Sequence, residues 1–215
     1  MLVACWSSKG GAGTSVVVAA LGLLRSGSDR GGTLLADLAG DLPAVLGAPD
    51  PTDPGLAGWL AAGTDVPVDA LSRLEHDVAP GLRLLARGEG PLDPERGEVL
   101  GALLGADARL VVADCGTAPA GAARAVAAGA DRSILVTRAC FVSLRRAMAA
   151  PVRPSHVVLV AEAGRSLTRH DVETCLGVPV LAVVEIDPAV ARAVDAGLLS
   201  SRLPRGLARE LRDAV

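Results

Sequence analysis

The chain has 215 residues, a length typical of one domain with a single large core. Its formal net charge is -3 and its pI is about 5.6, which excludes a general electrostatic attraction to nucleic acid. The four cysteines form no C-x-x-C pair. We therefore exclude a disulfide framework and a zinc site, and expect buried thiols in a reducing cytoplasm.

Short runs rich in Val, Ile and Leu alternate along the chain with longer segments of helical period. These runs are continuously apolar, as is typical of strands buried on both faces of a parallel sheet. Seven strands are predicted, at 2–6, 33–37, 82–86, 109–114, 133–137, 156–161 and 180–185. Helices are predicted at 14–26, 92–104, 118–128, 141–149, 168–176, 188–199 and 204–214. The alternation predicts one α/β domain over 1–215, with a doubly wound, mostly parallel seven-stranded sheet.

Two further segments indicate how the sheet is covered and where the chain resides. The stretch 49–80 contains two short helical pieces, around Trp59 and Leu71, and we expect it to cover one edge of the sheet. The longest apolar run, 16–24, is too short to span a bilayer, and the first residues lack the basic start of a signal peptide. We therefore predict a cytoplasmic protein.

The last predicted helix has an amphipathic pattern. Its apolar residues recur at helical spacing, at Leu203, Leu207, Leu211 and Val215. The segment has no aromatic residue and is interrupted by Pro204 and Gly206, which makes it a weak lipid anchor. Packing of the apolar face against the sheet is the favoured interpretation, and a membrane partner is not expected.

The segment SKGGAGTS, at 8–15, lies between the first predicted strand and the first predicted helix. Glycine backbone and helix-terminal N–H groups at such a position can enclose a phosphate, whereas a side chain would block the approach of the anion. Lys9 is the single lysine of a chain whose other cations are all arginine. A compact ammonium at the mouth of a glycine loop indicates a site-specific requirement. The alternative interpretation is a tight turn without a ligand.

This loop resembles the deviant Walker A motif, K-G-G-x-G-K-[ST], of the ParA/MinD family of SIMIBI-class P-loop ATPases. Matching residues stand at all but one of the fixed positions: Lys9, Gly10, Gly11, Gly13 and Ser15, with Ala12 at the variable one. The resemblance covers most of the chain. "LLADLAGDLPAVLG" resembles the second strand and first switch of that family, and "LVVADCGTAP" resembles its Walker B strand and second switch.

The resemblance implies a P-loop NTPase fold, a site for ATP or ADP with Mg²⁺, and a homodimer. The nucleotide-binding residues that it implies are Lys9, Gly10, Gly11, Ala12, Gly13, Thr14 and Ser15. The Mg²⁺ ligands that it implies are Ser15, Asp37 and Asp114. Lys9 is implied to contact phosphate across the dimer interface, and the switch segments after Asp37 and Asp114 to bind a protein partner.

Three departures from the family pattern fall in the implied pocket. Thr14 replaces the lysine that neutralises the β and γ phosphates, and Ala39 replaces the aspartate that orients the attacking water. The sixth predicted strand ends in Ala161 and Glu162 instead of an adenine-reading asparagine. Asp37 remains as a candidate catalytic residue, and Asp41 is a second candidate whose simpler interpretation is a helix N-cap.

The departures affect binding and catalysis unequally. Loss of one charge-assisted contact costs about 1.5–3 kcal/mol of binding free energy, which a backbone cradle with Lys9 can tolerate. Each preorganised charged group is worth roughly 100- to 1000-fold in rate, and phosphoryl transfer depends on such groups. With two groups absent, we expect negligible hydrolysis.

The leading hypothesis is therefore a bacterial, dimerising positioning or scaffold protein that binds nucleotide as a pseudo-ATPase. A first alternative is an active ATPase that positions DNA, pili or secretion machinery, with another residue in place of the missing lysine. A second alternative is a nucleotide-free interaction module. Arg145 and Arg146 form a pair of the kind that contacts DNA phosphates. The acidic pI does not indicate DNA as a partner, and a solvated helix face is the commoner role of such pairs.

Overall fold

The computed structural model describes residues 1–27, 31–63, 66–67 and 69–214. The described strands are β1 (Leu2–Ser7), β2 (Thr33–Asp37), β3 (Glu75–Ala79), β4 (Leu82–Leu85), β5 (Leu110–Thr117), β6 (Arg132–Arg138), β7 (His156–Ala161) and β8 (Val180–Glu185). The described helices are α1 (Thr14–Arg25), α2 (Leu42–Leu46), α3 (Gly55–Ala61), α4 (Gly97–Ala106), α5 (Gly121–Gly129), α6 (Phe141–Met148), α7 (Arg169–Leu176), α8 (Pro188–Asp195) and α9 (Arg205–Leu211). A single 3₁₀ turn, Ser72–Leu74, precedes β3.

The strands form one sheet in the order β3-β4-β2-β5-β1-β6-β7-β8. Every neighbouring pair is parallel except β3 and β4, which are antiparallel. The first strand lies near the centre, between β5 and β6, with all six of its residues buried. The chain runs outward from β1 in one direction to β2 and β4, and in the other to β6, β7 and β8. In sheets of this kind, ligands bind at the carboxyl ends of the strands where the direction changes.

The sheet has eight strands, one more than the sequence predicted. The additional strand is β3, which pairs at the edge within the stretch expected to cover that edge. Its sequence, EHDVA, has no apolar run, and its first residue, Glu75, forms ion pairs. The Glu75 carboxylate is buried against Arg83 at 3.0 Å and Arg109 at 2.7 Å. A carboxylate that two arginines neutralise can be buried, and sequence pattern alone does not indicate the pairing.

Several helix boundaries also differ from the predicted ones. The helix predicted from residue 92 begins at Gly97, since a segment with two prolines, 91–95, comes before it. The helix predicted over 188–199 ends at Asp195, two residues before Gly197, which has a left-handed φ of 65°. Of the two short helical pieces, α3 contains Trp59, whereas Leu71 precedes only the 3₁₀ turn.

Helices cover both faces of the sheet. One face packs against α3, α4, α5, α6 and α7, and its core includes Trp6, whose indole Nε1 donates to the Ser133 hydroxyl at 3.0 Å. The opposite face packs against α1, α2 and α9. In α9, Leu207 and Leu211 are buried in this second core, as the packing interpretation predicted, while Val215 lies outside the described residues. Within the described ranges, no helix is both long enough and apolar enough to cross a membrane.

The four thiols are not uniformly buried. Cys5 and Cys115 are buried in the core, and burial is the main cause that raises the pKa of each. Cys140 is only half-buried and Cys175 is exposed on α7. The expectation of four buried thiols is therefore wrong for these two residues.

We predict that Gly47→Ala will destabilise the chain far more than Gly164→Ala. Both glycines have left-handed backbone, with φ of 69° and 81°. A Cβ at residue 47 would lie 2.1 Å from the carbonyl oxygen of Gly197, whereas a Cβ at residue 164 would meet no atom within 4 Å. We expect a loss of about 1–2 kcal/mol of unfolding free energy at residue 164, from backbone strain alone. At residue 47 we expect a loss of more than about 3 kcal/mol, because a backbone overlap adds to the strain.

Urea unfolding followed by circular dichroism measures both losses. Equal losses would show that α2 does not approach the end of α8 as closely as the structure places it.

Candidate functional site

The glycine loop between β1 and α1 leaves an open space above its backbone. Gly11 and Gly13 have left-handed φ of 73° and 89°, which favours glycine at both positions. A Cβ placed on Gly10, Gly11 or Gly13 would meet no atom within 4 Å, so the space faces outward and is free of other groups. Gly13 is the N-cap of α1, and no side chain caps the helix. The first N–H groups of α1 are therefore without a side-chain acceptor and can bind an anion.

This loop forms one wall of a groove of about 840 Å³ at the carboxyl ends of β1, β2 and β5. The loop and the start of α1 contribute Gly11, Ala12, Gly13, Thr14, Ser15 and Val16. The segment after β2 contributes a second wall and the segment after β5 a third. The remaining lining residues are Ser7, Leu38, Ala39, Asp41, Ala44, Val45, Arg87, Leu92, Cys115, Gly116, Thr117, Ala118, Pro119, Ala120, Ala123 and Val194. The groove thus lies where the chain direction changes in the sheet.

Five of the seven predicted nucleotide-binding residues line this groove, and Lys9 and Gly10 do not. Lys9 is exposed, and its charge acts on two residues that follow β6 and β7. The pKa of the Cys140 thiol is lowered mainly by its hydrogen bond with Ser143, and the Lys9 charge also contributes. The pKa of Glu162 is lowered mainly by Arg165, again with a contribution from Lys9. The ammonium group therefore lies beside the groove of its own chain and not in it.

Thr14 occupies the position of the second motif lysine, and its side chain cannot replace that residue. It is the first residue of α1, lines the groove and is only 7% exposed. A threonine hydroxyl is neutral and short, so it cannot neutralise phosphate charge. The loop consequently offers main-chain amides to a ligand but no cationic side chain.

Asp37 and Asp114 lie side by side at the ends of β2 and β5, as register partners, and neither is exposed to solvent. The Asp37 carboxylate accepts three backbone N–H groups, from Ala39 at 3.0 Å, Gly40 at 2.6 Å and Leu42 at 3.0 Å. Burial is the main cause that raises the pKa of Asp37 to about 6, and the Asp114 charge adds to it, while the three amides oppose the shift. Asp37 therefore fixes the segment that leads into α2.

Asp114 has one oxygen that is satisfied and one that is not. Its Oδ1 accepts the Gly116 N–H at 2.9 Å, whereas the buried Oδ2 has no hydrogen-bond partner with good geometry among the described residues. Burial raises the pKa of Asp114, and the nearby Ser15 hydroxyl lowers it in part. An orphaned carboxylate oxygen beside a hydroxyl fits a hard cation such as Mg²⁺, which prefers oxygen ligands and retains several waters.

The three residues predicted to bind Mg²⁺ are not equivalent. Ser15 and Asp114 present oxygen atoms that fit the ion, whereas both oxygens of Asp37 are already occupied by amides. Across the described part of the chain, no group of three or more His, Cys, Asp or Glu side chains is arranged to hold a metal. A Mg²⁺ ion here would accordingly need oxygens from a ligand or from water.

Asp41 and Ala39 define the second wall of the groove. Asp41 is the N-cap residue of α2, as its simpler interpretation proposed, but its side chain caps no N–H group. Asp37 accepts the Leu42 amide instead, so the Asp41 carboxylate remains exposed and lines the groove. Ala39 also lines the groove, and it places no carboxylate at the position expected to orient water.

The sequence analysis did not identify two residues of the site. Arg87 follows β4 and reaches the groove, where its Nη1 donates to the Leu38 carbonyl at 2.7 Å and its Nη2 to the Gly90 carbonyl at 3.2 Å. Ala118 has a left-handed φ of 48°, unusual for a residue with a side chain, and its N–H donates to the Ser7 carbonyl at 2.7 Å. No motif includes Arg87, and its position after a predicted strand was the only signal. Ala118 lies within the segment that resembles the second switch, but nothing in that pattern indicates its left-handed backbone.

We expect Asp114→Asn to stabilise the ligand-free chain. The amide keeps a carbonyl oxygen for the Gly116 N–H and removes a buried charge next to Asp37. A gain of about 0.5–2 kcal/mol in unfolding free energy at pH 7.5 is the expected size for relief of this kind. The matched control is Asp107→Asn, since Arg109 holds the pKa of Asp107 below its usual range and the ion pair measures 2.7 Å.

The control should lose stability where Asp114→Asn gains it. Urea unfolding of the wild type and the two variants measures the change in unfolding free energy of each variant and thus its sign. A loss of stability in Asp114→Asn would mean that the Asp114 carboxylate is better satisfied than the geometry indicates.

No protein-family model and no curated protein matches the chain, but solved structures do. A ParA family ATPase from Chlorobium tepidum has a TM-score of 0.83 at 21% identity, over 99% of this chain and 97% of the other. The septum site-determining protein MinD from Pyrococcus horikoshii, complexed with Mg-ADP, has a TM-score of 0.78 at 20% identity, over 99% of this chain and 93% of the other. An ATP complex of a McdA variant from Cyanothece has a TM-score of 0.73 at 17% identity, over 99% of this chain and 94% of the other. The chain therefore has the ParA/MinD-like P-loop NTPase fold.

Proposed function

We propose that this chain is a ParA/MinD-like nucleotide-binding protein that hydrolyses ATP negligibly and acts as a dimerising positioning or scaffold protein. The observation that carries the proposal is the composition of the groove. Main-chain amides of the glycine loop and the Ser15–Asp114 pair are in place, whereas the second motif lysine and the second switch aspartate are missing. The first set of groups suffices to hold an anion and a cation, and the missing set serves catalysis.

Nucleotide with Mg²⁺ is the ligand class that fits these groups best. The groove is large enough for a nucleotide, the first N–H groups of α1 lie at it without a side-chain acceptor, and the unsatisfied Asp114 oxygen is buried beneath it. The structural neighbours from Pyrococcus horikoshii and Cyanothece were solved with Mg-ADP and ATP respectively. When bound, Mg²⁺ would offset the phosphate charge next to Asp114, with Ser15 and Asp114 as its protein ligands.

The same groove argues against hydrolysis. The carboxylate of Asp37 is engaged by three amides, so it is not free to accept a proton from water. Asp41 is exposed at the groove, but its side chain caps no N–H group of α2 and accepts no hydrogen bond from the described residues that would orient it. A positioned water and neutralised terminal phosphates are both needed for phosphoryl transfer, and the described residues provide no group dedicated to the first.

The face around Lys9 is the proposed dimer interface. The Ser8 hydroxyl donates to the Ser143 carbonyl at 2.8 Å, which attaches the glycine loop to α6. At the start of α6, Phe141 is 71% exposed and Val142 is 47% exposed. A large apolar side chain in open solvent next to a cation that does not enter its own groove suits contact with a second copy of the chain.

Two other functions have specific support. An active ATPase that positions DNA, pili or secretion machinery requires a cation to replace the lysine at residue 14, and an arginine does line the groove. A nucleotide-free interaction module requires only the exposed apolar residues and the switch segments. Equilibrium dialysis with labelled ATP and ADP separates the module from both nucleotide-binding functions.

We predict that the purified chain binds ATP with Mg²⁺ but releases no phosphate above the background of a matched blank. Thr14→Lys should tighten binding by roughly tenfold, because it restores one charge-assisted contact. It should not restore hydrolysis, since Ala39 still provides no group to orient water. Isothermal titration and a phosphate-release assay measure the two effects. Steady turnover that Ser15→Ala abolishes would contradict the proposed pseudo-ATPase.

Dimerisation in the presence of ATP should depend on Lys9 and Phe141. Lys9→Ala and Phe141→Asp are each expected to weaken the dimer at least tenfold, by removal of a phosphate contact and of an apolar anchor respectively. Val99→Asp is the control, because Val99 is 48% exposed on α4, away from the loop. Sedimentation velocity with and without ATP measures the association. A dimer equally sensitive to the control would place the interface elsewhere.

A further inference from the structure

The groove has an excess of negative charge, and none of the predicted site residues that line it carries a positive charge. Asp41 lines it, and the buried carboxylates of Asp37 and Asp114 lie beneath it. Thr14 is neutral, and Lys9 is not among the lining residues. A phosphate group placed here would meet negative charge on two sides. One cation, Arg87, lines the groove among the residues that the structure describes.

Arg87 is positioned by its strand and by two neutral carbonyl groups. It follows β4, which pairs with β2, so it emerges at the same edge of the sheet as Asp37. Its guanidinium donates to the carbonyls of Leu38 and Gly90, and no carboxylate of the described chain lies within ion-pair distance of it. By contrast, Arg83 on β4 and Arg109 just before β5 are both paired with Glu75.

The guanidinium of Arg87 retains the capacity to bind an anion. It has five N–H donors, of which the two carbonyl contacts use two, so three remain. Its stem lies against Gly40, where a Cβ would come within 3.1 Å of the arginine Cδ. The side chain is half-buried, which reduces the entropy it would lose on binding a ligand. A fixed, half-buried guanidinium without a counter-ion is a typical phosphate ligand.

We propose that Arg87 binds the terminal phosphate of a nucleoside triphosphate and so replaces the lysine missing at residue 14. The inference rests on the proposed function, in which the groove takes a nucleotide. The glycine loop and α1 hold the inner phosphates on one side of the groove. Arg87 lies on the other side, beyond Leu38 and away from β7, where the sequence analysis expected the base. The guanidinium therefore meets the triphosphate end and distinguishes ATP from ADP.

The test compares ATP with ADP, each with Mg²⁺, by isothermal titration. Arg87→Ala should weaken ATP binding by roughly 10- to 100-fold, the loss expected for one charge-assisted contact, and ADP binding less than about threefold. Arg87→Lys should lie between wild type and Arg87→Ala for ATP, because it keeps the charge but loses the planar fork. Arg124→Ala is the matched control, since Arg124 is exposed on α5 outside the groove.

A compensating variant separates ligand binding from a structural role. If Arg87 replaces the missing lysine, Thr14→Lys combined with Arg87→Ala should recover most of the lost ATP affinity. If Arg87 merely fixes the Leu38 and Gly90 carbonyls, Arg87→Ala should lower the melting temperature of the ligand-free chain and weaken ATP and ADP binding equally. Thr14→Lys should then tighten ATP binding by the same factor in wild type and in Arg87→Ala, instead of by a larger factor in Arg87→Ala. That second pattern would overturn the inference.

The remaining outcomes show whether the role of Arg87 fails alone or together with the proposed nucleotide-binding function. Wild-type protein that binds neither ATP nor ADP contradicts the proposed function, and with it the role of Arg87. Wild-type protein that binds ATP with an affinity that Arg87→Ala leaves unchanged contradicts the inference alone.

Discussion

The site depends on two buried carboxylates, Asp37 and Asp114, that neighbouring parallel strands place side by side. Like charges in a medium of low polarity repel, and each raises the cost of ionising the other. Three main-chain amides donate hydrogen bonds to the Asp37 carboxylate, whereas one oxygen of Asp114 has no hydrogen-bond partner among the described residues. This unequal division fixes the wall after β2 and leaves one buried oxygen at the end of β5 without a hydrogen-bond partner among the described residues. The geometry of the groove follows from that division.

An anion site made of main-chain amides is tolerant of sequence change. The N–H groups of the glycine loop are directed by backbone conformation, so replacement of the second motif lysine by Thr14 leaves them in position. Catalytic side chains have no such protection, because a single substitution removes the reacting group entirely. The fold can therefore keep a ligand after it has lost a reaction, which is why similarity of fold to ATPases does not by itself establish ATPase activity.

The sequence predicted the parts of the molecule that are local in the chain. The seven apolar strands and the glycine loop were visible because each is a contiguous pattern with its own physical cause. Strand β3 was not, because burial of Glu75 depends on Arg109, which is distant in sequence. Arg87 was missed for the same reason, since its approach to Leu38 follows from the pairing of β4 with β2. The capping role of Asp37 was also hidden, because a strand-terminal aspartate in this motif context is expected to serve the metal.

The position of the cationic side chain in the groove determines which walls of the groove a bound nucleotide would connect. A lysine at residue 14 would lie on α1, in the same wall as the glycine loop, and would tie the phosphates to that wall alone. Arg87 lies in the opposite wall and is hydrogen-bonded to the segment between β2 and α2. A triphosphate held by both would join the two walls, whereas a diphosphate would leave the second one unattached. The state of the ligand would then be transmitted to the wall after β2 by binding alone, without cleavage of a phosphate bond. If the chain hydrolyses ATP negligibly, as we propose, exchange of ATP for ADP from solution would be enough to change that surface.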